Sequence, residues 1–346
     1  MSSFPEKLQI GLFSTGLFIS ALAGYNFVES HLPKSADVSP IISPSSTPGV
    51  ELTSTLTPTL SRIPTSSATV LPAPYLERSP IIWIRNDYST YNNVDLMNIA
   101  SQLGVGGVRI DIGAGDFIGG GGVDTSLAIK RAQELNFGLE LCYNPKKLIP
   151  LDRLQSEVSK IVQHVSPKTR LLVDASNEVD NKAVPFWPGS LDTYPVFAAM
   201  LQKEITRQRP GTEVVMSATV NPLNERHLVQ GLLDLGVNPE EFLWALHIYG
   251  GAKDVKLRTQ VLESVFSDLK LKRPKIIYDE TGIDSLFMES VHEELKYDPV
   301  LIVGHELTYK PWKQEHYGLI SLRNLAPNKY FDPVKKLIYE VSQPKG

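Results

Sequence analysis

The chain has 346 residues and a formal charge of −4. That balance excludes nucleic acid as a main partner, because binding a phosphate backbone takes a basic surface. At 42% hydrophobic and 21% charged residues the composition is that of a globular protein, and a single cysteine, Cys142, excludes an intrachain disulfide. Residues Leu8 to Val28 are uncharged and mostly apolar, a span of roughly 21 residues that is long enough to cross a bilayer as a helix. Lys7 precedes the run, and Ala21-Leu22-Ala23 fits a signal-peptidase site, so residues 1–31 read as a signal peptide or a membrane anchor. More than half of the residues from Leu32 to Pro74 are Ser, Thr or Pro. Such a stretch has too little apolar surface to offset its ordering entropy, so residues 32–75 read as a disordered, semi-stiff linker. Anchor, spacer and globular domain in that order imply an extracytoplasmic protein, membrane-anchored or secreted.

From residue 76 to 346 short apolar runs alternate with amphipathic stretches. The runs are Ile81–Arg85, Gly107–Ile112, Gly138–Cys142, Arg170–Ala175, Glu213–Ser217, Leu243–Ile248, Lys275–Asp279 and Val300–His305. Helical spacing marks Asn93 to Leu103, a helix beginning near Asp124-Thr125, Leu151 to Val165, Phe197 to Gln208, Leu257 to Leu271, Ser285 to Leu295 and Pro333 to Val341. Gly104 and Pro210-Gly211 supply helix stops. Repeated strand-then-helix units mean parallel strands, and eight of them fit a (β/α)8 TIM barrel. A doubly wound open sheet fits less well. Its first strand-helix turn would carry glycines, whereas Arg85-Asn86-Asp87-Tyr88-Ser89-Thr90 has none, and the run Gly119–Gly122 lacks a phosphate-loop pattern and reads as a flexible loop.

A barrel builds its site at the C-terminal ends of its strands. Those ends carry Asn86 and Asp87, Arg109 and Asp111, Tyr143-Asn144, Asn177-Glu178, Thr219 and Asn221, His247 and Tyr249, Glu280, and His305-Glu306. Strand alternation places His247 with Tyr249 on one side, and Tyr278 with Glu280 on one side. Two acids at distant strand ends, Glu178 and Glu280, suggest paired acid/base chemistry.

At these positions the sequence resembles glycoside hydrolase clan A, the retaining TIM-barrel glycosidases, and its family 5 cellulase-like members in particular. Val108-Arg109-Ile110 resembles their second-strand arginine motif, Asn177-Glu178 the fourth-strand Asn-Glu, and His247-Ile248-Tyr249 the sixth-strand His-x-Tyr. Glu280 falls where their seventh-strand nucleophile falls, and Gly318 to Ile320 is similar to the segment that follows their eighth strand. Cys142-Tyr143-Asn144 departs from the third-strand pattern, which usually holds a histidine. The resemblance implies a retaining hydrolase of β-glycosidic bonds working by double displacement, with Glu178 as acid/base and Glu280 as nucleophile. It also implies that Asn177 bonds the substrate 2-hydroxyl, Arg109 keeps Glu280 ionised, Tyr249 orients Glu280 and His247 supports the floor. Such chemistry needs two carboxyl groups about 5–5.5 Å apart, the acid with a raised pKa and the nucleophile ionised.

Sugars stack on aromatic faces, so Tyr143, Trp187 and Trp312 are candidate substrate-binding residues, while Trp83 inside the first strand reads as core. The expected partner is a carbohydrate, with no cofactor and no metal, and the chain is expected to be monomeric. Two other readings remain. A non-catalytic carbohydrate-binding barrel would keep the aromatics without needing both acids. A metal-dependent barrel hydrolase would need a denser histidine set than seven scattered residues offer.

Overall fold

In a computed structural model of the protein the described residues are 81–85, 93–113, 125–145, 148–183, 186–309, 318–321 and 327–343. The apolar N-terminal segment, the Ser/Thr/Pro-rich stretch, the glycine run 119–122 and Trp312 lie outside them. Eight parallel strands close into a barrel in chain order. They are β1 (Ile82–Arg85), β2 (Gly107–Gly113), β3 (Gly138–Asn144), β4 (Leu171–Asp174), β5 (Glu213–Met216), β6 (Leu243–Ile248), β7 (Lys275–Gly282) and β8 (Leu301–His305). The helices are α1 (Asn93–Leu103), α2 (Thr125–Glu134), α3 (Leu151–His164), α4 (Tyr194–Gln208), α5 (Glu225–Asp234), α6 (Ala252–Asp268), α7 (Phe287–Glu294) and α8 (Phe331–Ser342). The (β/α)8 barrel expected from the alternating pattern is the observed fold. After β8, a two-residue strand β9 (Thr308–Tyr309) pairs in parallel with β10 (Ile320–Ser321).

Each helix turns its apolar stripe to the sheet. In α3, Leu154, Val158 and Ile161 are buried while Asp152 and Arg153 are exposed. Helix α1 ends at Gly104 and α4 ends before Gly211, with φ of +82° and +88°. A Cβ resists that conformation, so these glycines terminate the helices as the sequence suggests. Two elements differ from the sequence reading for a stereochemical reason. Helix α4 starts at Tyr194, three residues before Phe197, because Pro195 reads as a break yet fits a first helical turn. Helix α5 contains Gly231, which weakens its helical signal. A Cβ there would come within 2.7 Å of Pro195 Cγ, so the glycine lets α5 pack closely on α4.

The barrel interior has two halves. The lower half is apolar: Trp83, Leu172, Val215, Leu243, Ala245, Ile277, Leu301 and Val303 form one buried cluster. Trp83 fills its middle. Cβ atoms at Gly107 and Gly138 would lie 2.5 Å and 2.3 Å from the indole, so small residues on β2 and β3 are required for it to fit. The Arg170 guanidinium stands 5.5 Å from the Trp83 ring centre in cation–π geometry.

Candidate active site

Two residues along each strand the interior changes character. Trp83 gives way to Arg85, Gly107 to Arg109, Leu172 to Asp174, Ala245 to His247, Ile277 to Asp279 and Val303 to His305. Arg85 stands beside Arg109 on one side and His305 on the other in the strand register, so the three share one level.

Arg109 is fully buried and holds the layer together. Its Nη1 donates to the Asp279 carbonyl at 3.0 Å, to Asp279 Oδ2 at 2.8 Å and to Glu280 Oε1 at 3.2 Å. Its Nη2 donates to Asp174 Oδ2 at 3.1 Å, Asn177 Oδ1 at 2.8 Å and Cys142 Sγ at 3.2 Å. Nε lies 3.9 Å from Glu140 Oε1 and 3.7 Å from Asp111 Oδ1. Glu140, Asp174 and Asp279 bring one oxygen each within 4.8 Å of one another, a spacing that suits a cation. Arg109 contacts all three and supplies that positive charge itself. More carboxylates than cations are gathered here, and the surplus takes up protons. Burial raises Glu140 well above its ordinary range despite Arg109, and raises Asp174 to about 7.

Both Asp279 and Glu280 reach this interior, which strict alternation forbids. The β6–β7 register runs Leu246 opposite Tyr278 and then His247 opposite Glu280, so β7 bulges at Asp279. The expectation that Tyr278 and Glu280 share a side is therefore corrected. Tyr278 points outward and its hydroxyl is 2.8 Å from that of Thr259 on α6, while Glu280 contacts Arg109 inside. The bulge re-aims one carboxylate and so sets two side by side.

Among the described residues, four polar side chains contact the Glu280 carboxylate. Arg85 and Arg109 donate to Oε1, the Tyr249 hydroxyl donates to Oε2, and His247 Nδ1 is 3.7 Å from Oε2. Burial by itself would raise its pKa, but Arg85, then His247, His305 and Arg109, hold it well below the usual carboxylate range.

Glu178 sits where β4 leaves the barrel. Ser176 and Glu178 adopt φ of +126° and +36°, both in regions that L side chains avoid. Neighbours over-determine this backbone. Asn144 Oδ1 accepts from the Asn177 N–H at 2.8 Å and from Ser176 Oγ at 3.3 Å, and the Asn181 N–H donates to the Glu178 carbonyl at 2.9 Å. The Glu178 carboxylate accepts from Asn181 Nδ2 at 2.7 Å and lies 3.0 Å from His247 Nδ1. His247 thus bridges the two acids. Its Nδ1 distances, 3.0 Å to Glu178 Oε1 and 3.7 Å to Glu280 Oε2, hold those oxygens at most their sum, 6.7 Å, apart.

Sequence reasoning asks for a raised Glu178. The structure differs. Burial raises its pKa, but the hydrogen bond and charge of His247, with the hydrogen bond from Asn181, bring it below the ordinary value. His247 carries the proton instead. Burial opposes its charge, yet Glu280, Asp279 (3.1 Å from Nε2) and Glu178 raise it to about 10.

Of the residues singled out in the sequence, Arg109, Asn177, Glu178, His247, Tyr249 and Glu280 converge at this mouth. Two aromatics do not. Tyr143 is buried on the outer side of β3, where its ring stacks on Phe197 of α4 at 6.2 Å. Trp187 is also buried: its Nε1 donates to the Ser190 carbonyl at 3.0 Å and its ring packs on Phe197 and Tyr194. Both belong to the layer between sheet and helices and offer no open face to a sugar. Their positions near strand ends conceal this, because alternation decides the side. Sequence reasoning missed Arg85, Asp174, Glu140 and Asp279 as site residues. Arg85 had a usable signal, a cation ending an apolar strand two residues after a core Trp. Asn144 stood among the strand-end residues, and Asn181 carried no signal.

No family model matches the chain, and no curated protein matches it. Solved structures do. A mannanase catalytic domain from Streptomyces sp. SirexAA-E aligns with a TM-score of 0.54 at 11% identity, covering 82% of this chain and 98% of that one. The endo-β-1,4-glucanase Xac0029 of Xanthomonas axonopodis pv. citri gives 0.53 at 11% identity, covering 78% and 100%. A glucosidase from Croceicoccus marinus gives 0.58 at 9% identity, covering 76% and 68%. The chain has the barrel fold of these glycan hydrolases. At such low identity the likeness concerns the fold, and chemistry must be argued from the site.

Proposed function

We propose that the protein is a retaining β-glycosidase acting on a polysaccharide or oligosaccharide, with Glu280 as nucleophile and Glu178 as acid/base. The observation that carries this reading is the pair itself, two carboxylates at the barrel mouth whose facing oxygens are within 6.7 Å through one bridging imidazole. Retaining enzymes keep their carboxyl groups about 5–5.5 Å apart and inverting ones about 6.5–9.5 Å. Environment separates the two roles. Glu280, under two guanidiniums, is held ionised and suited to attack an anomeric carbon. Glu178 is the more accessible, its side chain 19% exposed against 3% for Glu280.

The proton for the leaving oxygen resides on His247 and reaches the substrate through Glu178. When Glu280 forms a glycosyl ester it loses the negative charge that most strongly favours the imidazolium. His247 then releases its proton toward Glu178, 3.0 Å away, as the leaving group needs it. In the second step Glu178 takes a proton from water, which attacks the ester. Asn177, fixed by Arg109 through its Oδ1, offers its amide N–H to the sugar 2-hydroxyl.

The mannanase and endo-glucanase neighbours make β-1,4-mannan and β-1,4-glucan the first substrates to test. On a substrate that is turned over, Glu280→Gln should lower kcat by a factor of about 10³ or more, because the covalent step loses its nucleophile. Proton NMR of the first product formed should show the β-anomer. Retained turnover in Glu280→Gln, or an initial α-anomer, would overturn the assignment. The N-terminal run and its spacer would place this domain outside the cytoplasm, anchored or released.

A further inference from the structure

Arg85 lies outside the set of strand-end residues that pair with an acid by spacing, yet it contacts three residues of the site. One guanidinium nitrogen, Nη1, donates to Glu280 Oε1 and lies 3.3 Å from His305 Nδ1, while Nη2 donates to Asp111 Oδ2. The side chain is 14% exposed, so these contacts form in a largely water-excluded place. Resting on the retaining reading above, we propose that Arg85 is a positioning residue for the nucleophile. It fixes the Glu280 carboxylate and its charge from the β1 side, while Arg109 fixes it from β2.

The geometry explains why two arginines are needed. Arg109 divides its donors among Asp279, Asp174, Asn177, Cys142 and Glu280, and its 3.2 Å bond to Glu280 is among its longer ones. Among the described residues Arg85 serves two carboxylates. Both guanidiniums meet Glu280 at Oε1, which leaves Oε2, aligned by the Tyr249 hydroxyl, as the oxygen that turns to substrate. Among the described residues, the other charged and titratable groups facing Glu280 are His247, Asp111, Asp279, His305 and Glu178. His305 is driven down to about 4, burial being the main cause, so its charge helps to hold Glu280 down only at acidic pH. Among the groups that keep Glu280 ionised, Arg85 has the largest effect. Asp111 opposes it by drawing on the same guanidinium.

Arg85 and Asp111 therefore act in opposite directions on Glu280. In Arg85→Met the acidic limb of kcat/KM on β-1,4-mannan or β-1,4-glucan should move up by about one pH unit or more, a tenfold loss at a pH on that limb. Arg85→Lys, which keeps a cation, should recover most of the shift. Asp111→Asn should move the limb down. Without any substrate, the Glu280 carboxyl carbon can be followed by NMR in labelled protein, assigned by its absence in Glu280→Gln. It should titrate at higher pH in Arg85→Met than in the parent. A folded Arg85→Met that titrates like the parent overturns the proposal, as does an equal shift in the Lys and Met variants. If the Met variant does not fold, Asp111→Asn decides, and an upward shift or none overturns it. Turnover surviving Glu280→Gln would instead sink the retaining reading, whatever Arg85 does.

Discussion

The two halves of the barrel interior are built by the same strands, one pleat repeat apart, and they are held together by opposite means. Below, Trp83 sits among aliphatic side chains and two glycines cleared for it. Above, Arg85, Arg109 and His247 sit among carboxylates, and the cohesion is ionic. The apolar half is stable however its members are charged, because they carry none. The ionic half is stable only as a set. Removing one member leaves its partners buried and uncompensated, a far larger cost than the net value of an intact pair. A site that must keep one acid ionised and lend another a proton needs the second kind of construction, and it rests on the first.

The comparison can be broken with one substitution in each half. Arg109→Met should cost about 3–5 kcal/mol of unfolding free energy, by the precedent for severed buried ion pairs, and should also reduce kcat/KM by about a hundredfold or more. Trp83→Ala should cost a similar amount, about 3–5 kcal/mol, through the cavity it leaves. Its kcat per folded molecule should stay within about threefold of the parent, since no site residue loses a partner. Urea unfolding with activity assayed at low temperature separates the two. Equal kinetic damage from both would mean the halves are not independent.

A smaller effect sharpens the role of the cations. Glu294 is as buried as Glu280, but its polar partner is the Thr281 hydroxyl at 2.7 Å rather than a guanidinium. Burial raises it to about 8 where Glu280 is lowered. Between its unfolded value near 4.3 and about 8 the folded chain keeps a proton that the unfolded chain has lost. Its contribution to stability therefore falls as pH rises through that window. Glu294→Gln should remove the fall, so that the variant gains about 1–3 kcal/mol on the parent between pH 4 and pH 8. A constant difference across that range would contradict the assignment. The smallest effect belongs to Tyr143→Phe. The Tyr143 hydroxyl is buried without a hydrogen-bond partner among the described residues, so its loss should change stability by no more than about 1 kcal/mol and leave KM unchanged. A severalfold rise in KM would return Tyr143 to the substrate cleft.

Much of this molecule is legible in its sequence. The eight apolar runs, the amphipathic stretches between them and the glycine stops determine a barrel, because buried parallel strands and one-sided helices have distinct periods. Six site residues, Arg109, Asn177, Glu178, His247, Tyr249 and Glu280, could be named because a barrel gathers its chemistry toward the C-terminal ends of its strands and because the motifs there resemble those of the clan A retaining glycosidases. Tertiary structure decided the rest. Whether a strand-end side chain looks inward depends on register, and a single bulge in β7 reverses the answer for Glu280 while alternation sends Tyr143 outward. Which acid holds a proton depends on cations brought from other strands. Arg85 reaches Glu280 across 195 positions of sequence, and His247 reaches Glu178 across 69. Charge interactions act through space in a dry interior, and no local pattern along the chain records them.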